Sequence, residues 1–183
     1  MAKDPLERFR AVPQFTLTSD DIADDRPLSR EQWGAGGGGG DISPQLSWSG
    51  FPAETKSFAV TIHDPDAPTG SGFWHWAVYN IPVSVTSLPA NAGAEGGGEL
   101  PQGAAMLSNE LRSKSFTGAG PPPGTGTHHY NVIVHALDVD HLDLDPEASP
   151  AILGFNANFH VLARAVLIPV SYTHLTLPTK AQV

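Results

Sequence analysis

Two short segments hold the side chains best suited to chemistry. In Asp64-Pro65-Asp66-Ala67-Pro68 two carboxylates stand between two prolines. A proline keeps the residue before it out of helical geometry, so Asp64 and Ala67 are held extended and the acids sit on a stiff loop. Such a loop is either a built site or a rigid turn with solvated carboxylates. The second segment is Gly120-Pro121-Pro122-Pro123-Gly124-Thr125-Gly126-Thr127-His128-His129-Tyr130. Its prolines restrict the chain and its glycines let backbone approach a ligand closely. His128 and Tyr130, two residues apart, point to one side of an extended chain. His75, between Trp74 and Trp76, is expected on the opposite strand face from both indoles, where it can join them.

Imidazole, phenol and backbone N–H groups can hold an anion; paired with carboxylates they can also do acid–base work. Hydrolysis needs a nucleophile or an activated water within about 3 Å of a base. The chain has no Gly-x-Ser-x-Gly elbow and no cysteine, and Ser71 reads as a turn residue. A metal reading would use His63, Asp64, Asp66 and His128, but no His-Glu-x-x-His or comparable ligand spacing accompanies them. Five consecutive glycines, Gly36 to Gly40, lack the Lys-Ser/Thr ending of a phosphate loop and read as a flexible surface loop, as do Gly96 to Gly98. The expectation is a binding site without catalysis, metal or cofactor.

Strands must position these loops. Ser57 to His63 alternates, with Phe58, Val60 and Ile62 on one face, and ends at Asp64. Trp74 to Ile81 is aromatic and β-branched and carries His75. Tyr130 to Leu137 begins where the second loop ends, with Val132 and Val134 on the face of Tyr130 and Ile133 and His135 on the other. Gln14 to Thr18 and Ala165 to Ile168 read as shorter strands. Residues 82 to 127 are too long for a hairpin and too aperiodic for much regular structure. One helix is predicted from Ser149 as N-cap and Pro150 in the first turn, with Ile152, Phe155, Phe159 and Leu162 as its buried stripe. Strands with one late helix favour an antiparallel β core with peripheral helix over alternating βαβ units.

Composition agrees. Of 183 residues, 19 are Gly and 17 Pro, about a fifth of the chain, and only 16% are charged, against an ordinary charged share near ~25%. Coiled coils, long solvated helices and charge-driven disorder are disfavoured, and 40% hydrophobic residues suffice for one core. Ten Lys and Arg against 19 Asp and Glu give a net charge of -9, which argues against nucleic acid and an anionic membrane surface as partners. The absence of Cys excludes disulfides and thiol chemistry and fits a reducing compartment. No signal-like or membrane-spanning apolar run is present, so a cytoplasmic, soluble protein is expected. Residues 1–13 read as a flexible arm and 14–169 as one domain. From Val170 to Thr179 the chain resembles a reading frame through a transposon-type sequencing-library adapter. Residues 170–183 are therefore expected to be a non-native tail, the alternative being a natural polar one.

The two loops, with Trp74-His75 between them, resemble the phosphatidylethanolamine-binding protein family, also called Raf kinase inhibitor-like, in its bacterial YbhB/YbcL branch. Ser43 to Trp48, Phe58-Ala59-Val60, Asp64 to Asn80, Gly120 to Leu137 and Ala163-Arg164-Ala165 carry the likeness, over roughly residues 14 to 168. The resemblance implies a mainly β fold with peripheral helices, a large antiparallel sheet packed with a smaller one. It implies a small pocket for phosphate or a phosphoethanolamine-type headgroup, formed by Asp64, Asp66, Pro68, His75, Gly120, His128 and Tyr130. In an acidic chain such a pocket needs local compensation, so Asp64 or Asp66 is expected to accept a hydrogen bond from an imidazole and favour its charged form, the ligand then meeting a charged histidine. His129 stands where the family often has Arg. The resemblance also admits an inhibitor of a kinase or serine protease as an alternative role, and a homodimer; the paired carboxylates and histidines leave a phosphoester hydrolase as a further alternative.

Overall fold

The computed structural model describes residues 4–173. Its main body is a five-stranded antiparallel sheet in the order β6-β4-β3-β8-β9, built from β3 (Ser57–Asp64), β4 (Phe73–Pro82), β6 (Ala105–Met106), β8 (Asn131–Leu137) and β9 (Val161–Leu167). A three-stranded sheet, β1 (Thr16–Thr18), β2 (Leu46–Ser49) and β5 (Ser87–Leu88), packs on one face. A two-stranded ribbon pairs β7 (Thr127–His129) with β10 (Val170–Tyr172). The single α-helix among the described residues, α1 (Pro150–His160), covers the other face of the large sheet.

Alternation along β3 explains the layering. Phe58, Val60 and Ile62 meet Leu46, Trp48, Trp76, Val78, Val132 and Val134 in the core between the sheets. The intervening Ala59 joins Ala77, Leu137, Leu153, Ala157 and Val161 in a second core beneath α1. A strand buried on both faces needs this near-continuous apolar run.

The helix begins as predicted, with Ser149 Oγ accepting from the Ile152 N–H and Pro150 in the first turn. Its buried stripe differs from the expectation. Pro150, Leu153 and Ala157 face the sheet, while Ile152, Phe155 and Phe159 are exposed, and Leu162 already belongs to β9. The stripe 150, 153, 157 continues at Val161, the first residue of β9, so the helix is oriented by where the chain must re-enter the sheet.

The segment 4–13 lies against β9. Arg164 is buried without a carboxylate partner among the described residues; its guanidinium donates to the Arg10 carbonyl at 2.8 Å and to Asn158 Oδ1 at 3.2 Å, beneath the Phe9 ring. At the other end, Val170 and Ser171, the first two residues of the stretch expected as tail, are buried in the β7–β10 ribbon; residues 174–183 lie outside the described residues. No helix among the described residues is long and apolar enough to cross a membrane.

Candidate functional site

At the end of β3, both oxygens of the Asp64 carboxylate are hydrogen-bonded. Oδ1 accepts the backbone N–H of Asp66 at 2.8 Å and of Ala67 at 3.2 Å, an Asx-type turn that the flanking prolines lock. Oδ2 accepts from His128 Nδ1 at 2.6 Å, and both side chains are buried. Asp66 points outward and its Oδ2 accepts from the His129 backbone N–H at 2.8 Å and from the His129 ring at 2.7 Å. The two carboxylates thus take successive histidines of β7, one pair inside and one near the surface, and tie the first loop to the second.

His128 is held on its other side too. Nε2 lies 2.7 Å from Thr125 Oγ1, which is itself 2.7 Å from the Pro122 carbonyl oxygen. Asp64, His128 and Thr125 are therefore connected like an acid–base–nucleophile triad. The polarity is the reverse of what a nucleophile needs. A carbonyl only accepts, so the Thr125 hydroxyl hydrogen goes to the Pro122 carbonyl and not to His128 Nε2. The chain of bonds stiffens the proline loop; it does not activate Thr125.

A β-bulge sets His75. Ile62 pairs with Trp76 and His63 with Trp74, leaving His75 as the extra residue of β4. A bulge turns a side chain off the regular alternation. The His75 ring lies 5.1 Å from that of Tyr130, on the same side of the sheet as Trp76 and opposite Trp74, which packs on His63. The expectation that His75 opposes both indoles thus fails for Trp76, because simple alternation ignores the bulge. His75 Nδ1 donates to the Thr117 carbonyl at 2.8 Å. Burial pushes its pKa below the ordinary imidazole range, offset in part by that hydrogen bond and by Asp64. Near neutral pH this ring is uncharged.

A cleft of about 810 Å³ opens over these groups. Asp64, Pro68, His75, Gly120 and His128 line it, with Phe73 and Pro121 to Pro123 as apolar walls. Two expected residues do not line it. Asp66 faces His129, and Tyr130 is buried behind His75 with its hydroxyl 2.8 Å from Ser171 Oγ; burial raises its pKa. Among the described residues that line the cleft there is no lysine or arginine, and no group of three or more His, Asp or Glu could hold a metal ion.

The glycine run expected as a solvent loop forms the opposite wall, through Gly34, Ala35, Gly36 and Gly37. Asp41 fastens it: Oδ1 accepts the Gly118 N–H at 2.6 Å and Oδ2 the Ala35 N–H at 3.0 Å. Gly39 and Gly118 each approach the Trp33 backbone so closely that an added Cβ would lie 2.2 and 2.3 Å from it, respectively. The signal in the sequence was the aspartate directly after the glycines, whose carboxylate can gather backbone N–H groups. Beyond Gly120 and Pro121 lies a smaller groove of about 230 Å³, lined by Leu28, Trp33 and Tyr172.

With this geometry in hand, comparison with known proteins is specific. The sequence model of the phosphatidylethanolamine-binding proteins matches residues 18–172. Escherichia coli YbcL is 46% identical over 158 residues, covering 85% of this chain and 86% of YbcL. Escherichia coli YbhB is 45% identical over 151 residues, covering 81% and 94%. The crystal structure of YbcL, described as a new member of the mammalian PEBP family, superposes with a TM-score of 0.85 at 44% identity, over 88% of this chain and 99% of that one.

Proposed function

The chain belongs to the phosphatidylethanolamine-binding protein family, in the branch of YbcL and YbhB, and from that premise we propose that it is a non-catalytic binding protein whose cleft takes a small anion, phosphate or a phosphoethanolamine-type headgroup. The observation that carries the reading is the floor of the cleft. His75 is nine-tenths buried and firmly oriented, yet reaches the cavity, while every carboxylate oxygen of Asp64 is already bonded. A carboxylate with both oxygens bonded to N–H donors repels an anion less than a bare one. The backbone of Gly120 and the glycine wall can approach the ligand without side chains between.

The non-catalytic half rests on the reversed polarity at Thr125, which leaves His128 without a hydroxyl proton to take. Asp66, although outside the cleft, belongs to the proposed site as the latch that holds the two loops together through His129. Tyr130 belongs to it as the surface against which His75 rests. Calorimetric titration with phosphoethanolamine tests the reading. Saturable binding is expected, weakened about tenfold or more by His75→Ala, with the ligand recovered intact. Absence of saturable binding by either phosphate or phosphoethanolamine contradicts it.

A further inference from the structure

His75 offers the cleft one atom. Its Nδ1 faces the Thr117 carbonyl oxygen, which has no hydrogen to give, so Nδ1 carries the ring proton. Nε2 has no protein partner among the described residues. It is not sealed either, since the only sealed and unpartnered side-chain nitrogen or oxygen among them is Trp48 Nε1. A neutral imidazole has one N–H and one lone pair. With the N–H committed to Thr117, Nε2 is an acceptor open to the ligand.

That is an unusual atom for an anion to meet. An oxyanion brings lone pairs and meets a lone pair, and no lysine or arginine lines the cleft to compensate. The contact becomes favourable when the ligand brings the hydrogen. We infer that the site selects phosphates bearing one acidic hydrogen, as in phosphoethanolamine or hydrogen phosphate, over phosphodiesters, because a P–O–H group must donate to His75 Nε2. The inference rests on the anion-binding reading above. A diester has no such hydrogen and would require protonation of His75 itself. The titratable groups that face this ring are Asp64, His63, His128 and Tyr130, and burial together with His63 and His128 opposes that protonation.

The test uses the whole protein and four ligands, phosphoethanolamine, inorganic phosphate, glycerophosphoethanolamine and vesicles of phosphatidylethanolamine, at pH 5.5 and pH 7.5. The first two carry the P–O–H group; the others are diesters. At the lower pH monoester and diester both bear mainly one negative phosphate charge, since the second proton of a phosphomonoester leaves near pH ~6. The monoester is expected to bind about tenfold or more tighter than its glycerol diester there, and to weaken as pH rises and its hydrogen is lost. A pocket of fixed charge predicts the opposite trend, and one working through a titrating histidine weakens the diester as well as the monoester. Phosphate against phosphoethanolamine separates the free ion from the headgroup as source. His75→Gln, which places an amide N–H near the Nε2 position, is expected to reduce the monoester preference to within about threefold, with thermal melting as the check on folding. Equal binding of monoester and diester to the unaltered protein overturns the inference and leaves the anion reading standing, as does monoester binding that tightens with pH. Failure of all four ligands overturns the anion reading itself.

Discussion

Histidines 75, 128 and 135 are all buried, and their neighbours give them three different chemistries. His128 donates to a carboxylate, His75 to a carbonyl, and His135 is enclosed between Thr61 Oγ1 at 3.3 Å and Arg164 Nε, which donates to its Nδ1 at 3.3 Å. Burial, reinforced by the Arg164 charge, pushes the His135 pKa down to about 3. The unfolded chain, whose histidines titrate near pH 6.5, therefore takes up this proton first on acidification. Stability is complete above that pH and falls as pH drops toward 3, with a slope of about 1.4 kcal/mol per pH unit from this residue; the lowered pKa of His63 and His75 acts in the same sense. His135→Gln is expected to flatten the decline between pH 6 and pH 4 in urea melts; an unchanged slope contradicts the assignment. The sequence reading found Asp64 and His128 because proline-locked loops and two-residue alternation are written in residue types. The side of the sheet that His75 takes relative to Trp76 is not legible there, because the bulge at β4 depends on pairing with β3, which no local pattern reveals.

At the scale of elements, the cleft depends on how closely two backbones meet. Gly118 and Gly39 both approach the Trp33 backbone closely, and Asp41 ties the loop from Gly34 to Gly40 to that contact. Gly118→Ala places a Cβ against backbone that cannot rotate away. A loss of about 2–3 kcal/mol is expected, together with loss of phosphate binding, because the wall carrying Ala119 and Gly120 is displaced. Gly36→Ala, which meets nothing within 4 Å, is expected to change stability by no more than about 0.5 kcal/mol. Chemical denaturation of both variants checks the pair, and equal losses would show that the close approach is unimportant. A glycine run reads as flexible in a sequence because the partner that packs on it lies some eighty residues further along. The helix shows the same division. Ser149-Pro150 marks its start locally, whereas the choice of Leu153 and Ala157 over Phe155 and Phe159 as its inner face follows from the demand that Val161 enter the sheet.

For the molecule as a whole, a chain of net charge -9 does not draw an anion in from a distance. Binding has to come from contacts made inside the cleft, where the Asp64 carboxylate is hydrogen-bonded to His128 and the walls are glycine, proline and phenylalanine. The large sheet holds Asp64 and His75 on adjacent strands; the ribbon of β7 and β10 brings His128 to them; the Asp41-fastened loop closes the far side. The central claim is thus a position. Crystals soaked in phosphoethanolamine locate it directly: the account predicts the phosphorus inside this cleft, with one phosphate oxygen within hydrogen-bonding distance of His75 Nε2 and the others toward the backbone around Gly120. An empty cleft, or a phosphate held only elsewhere on the surface, would contradict it.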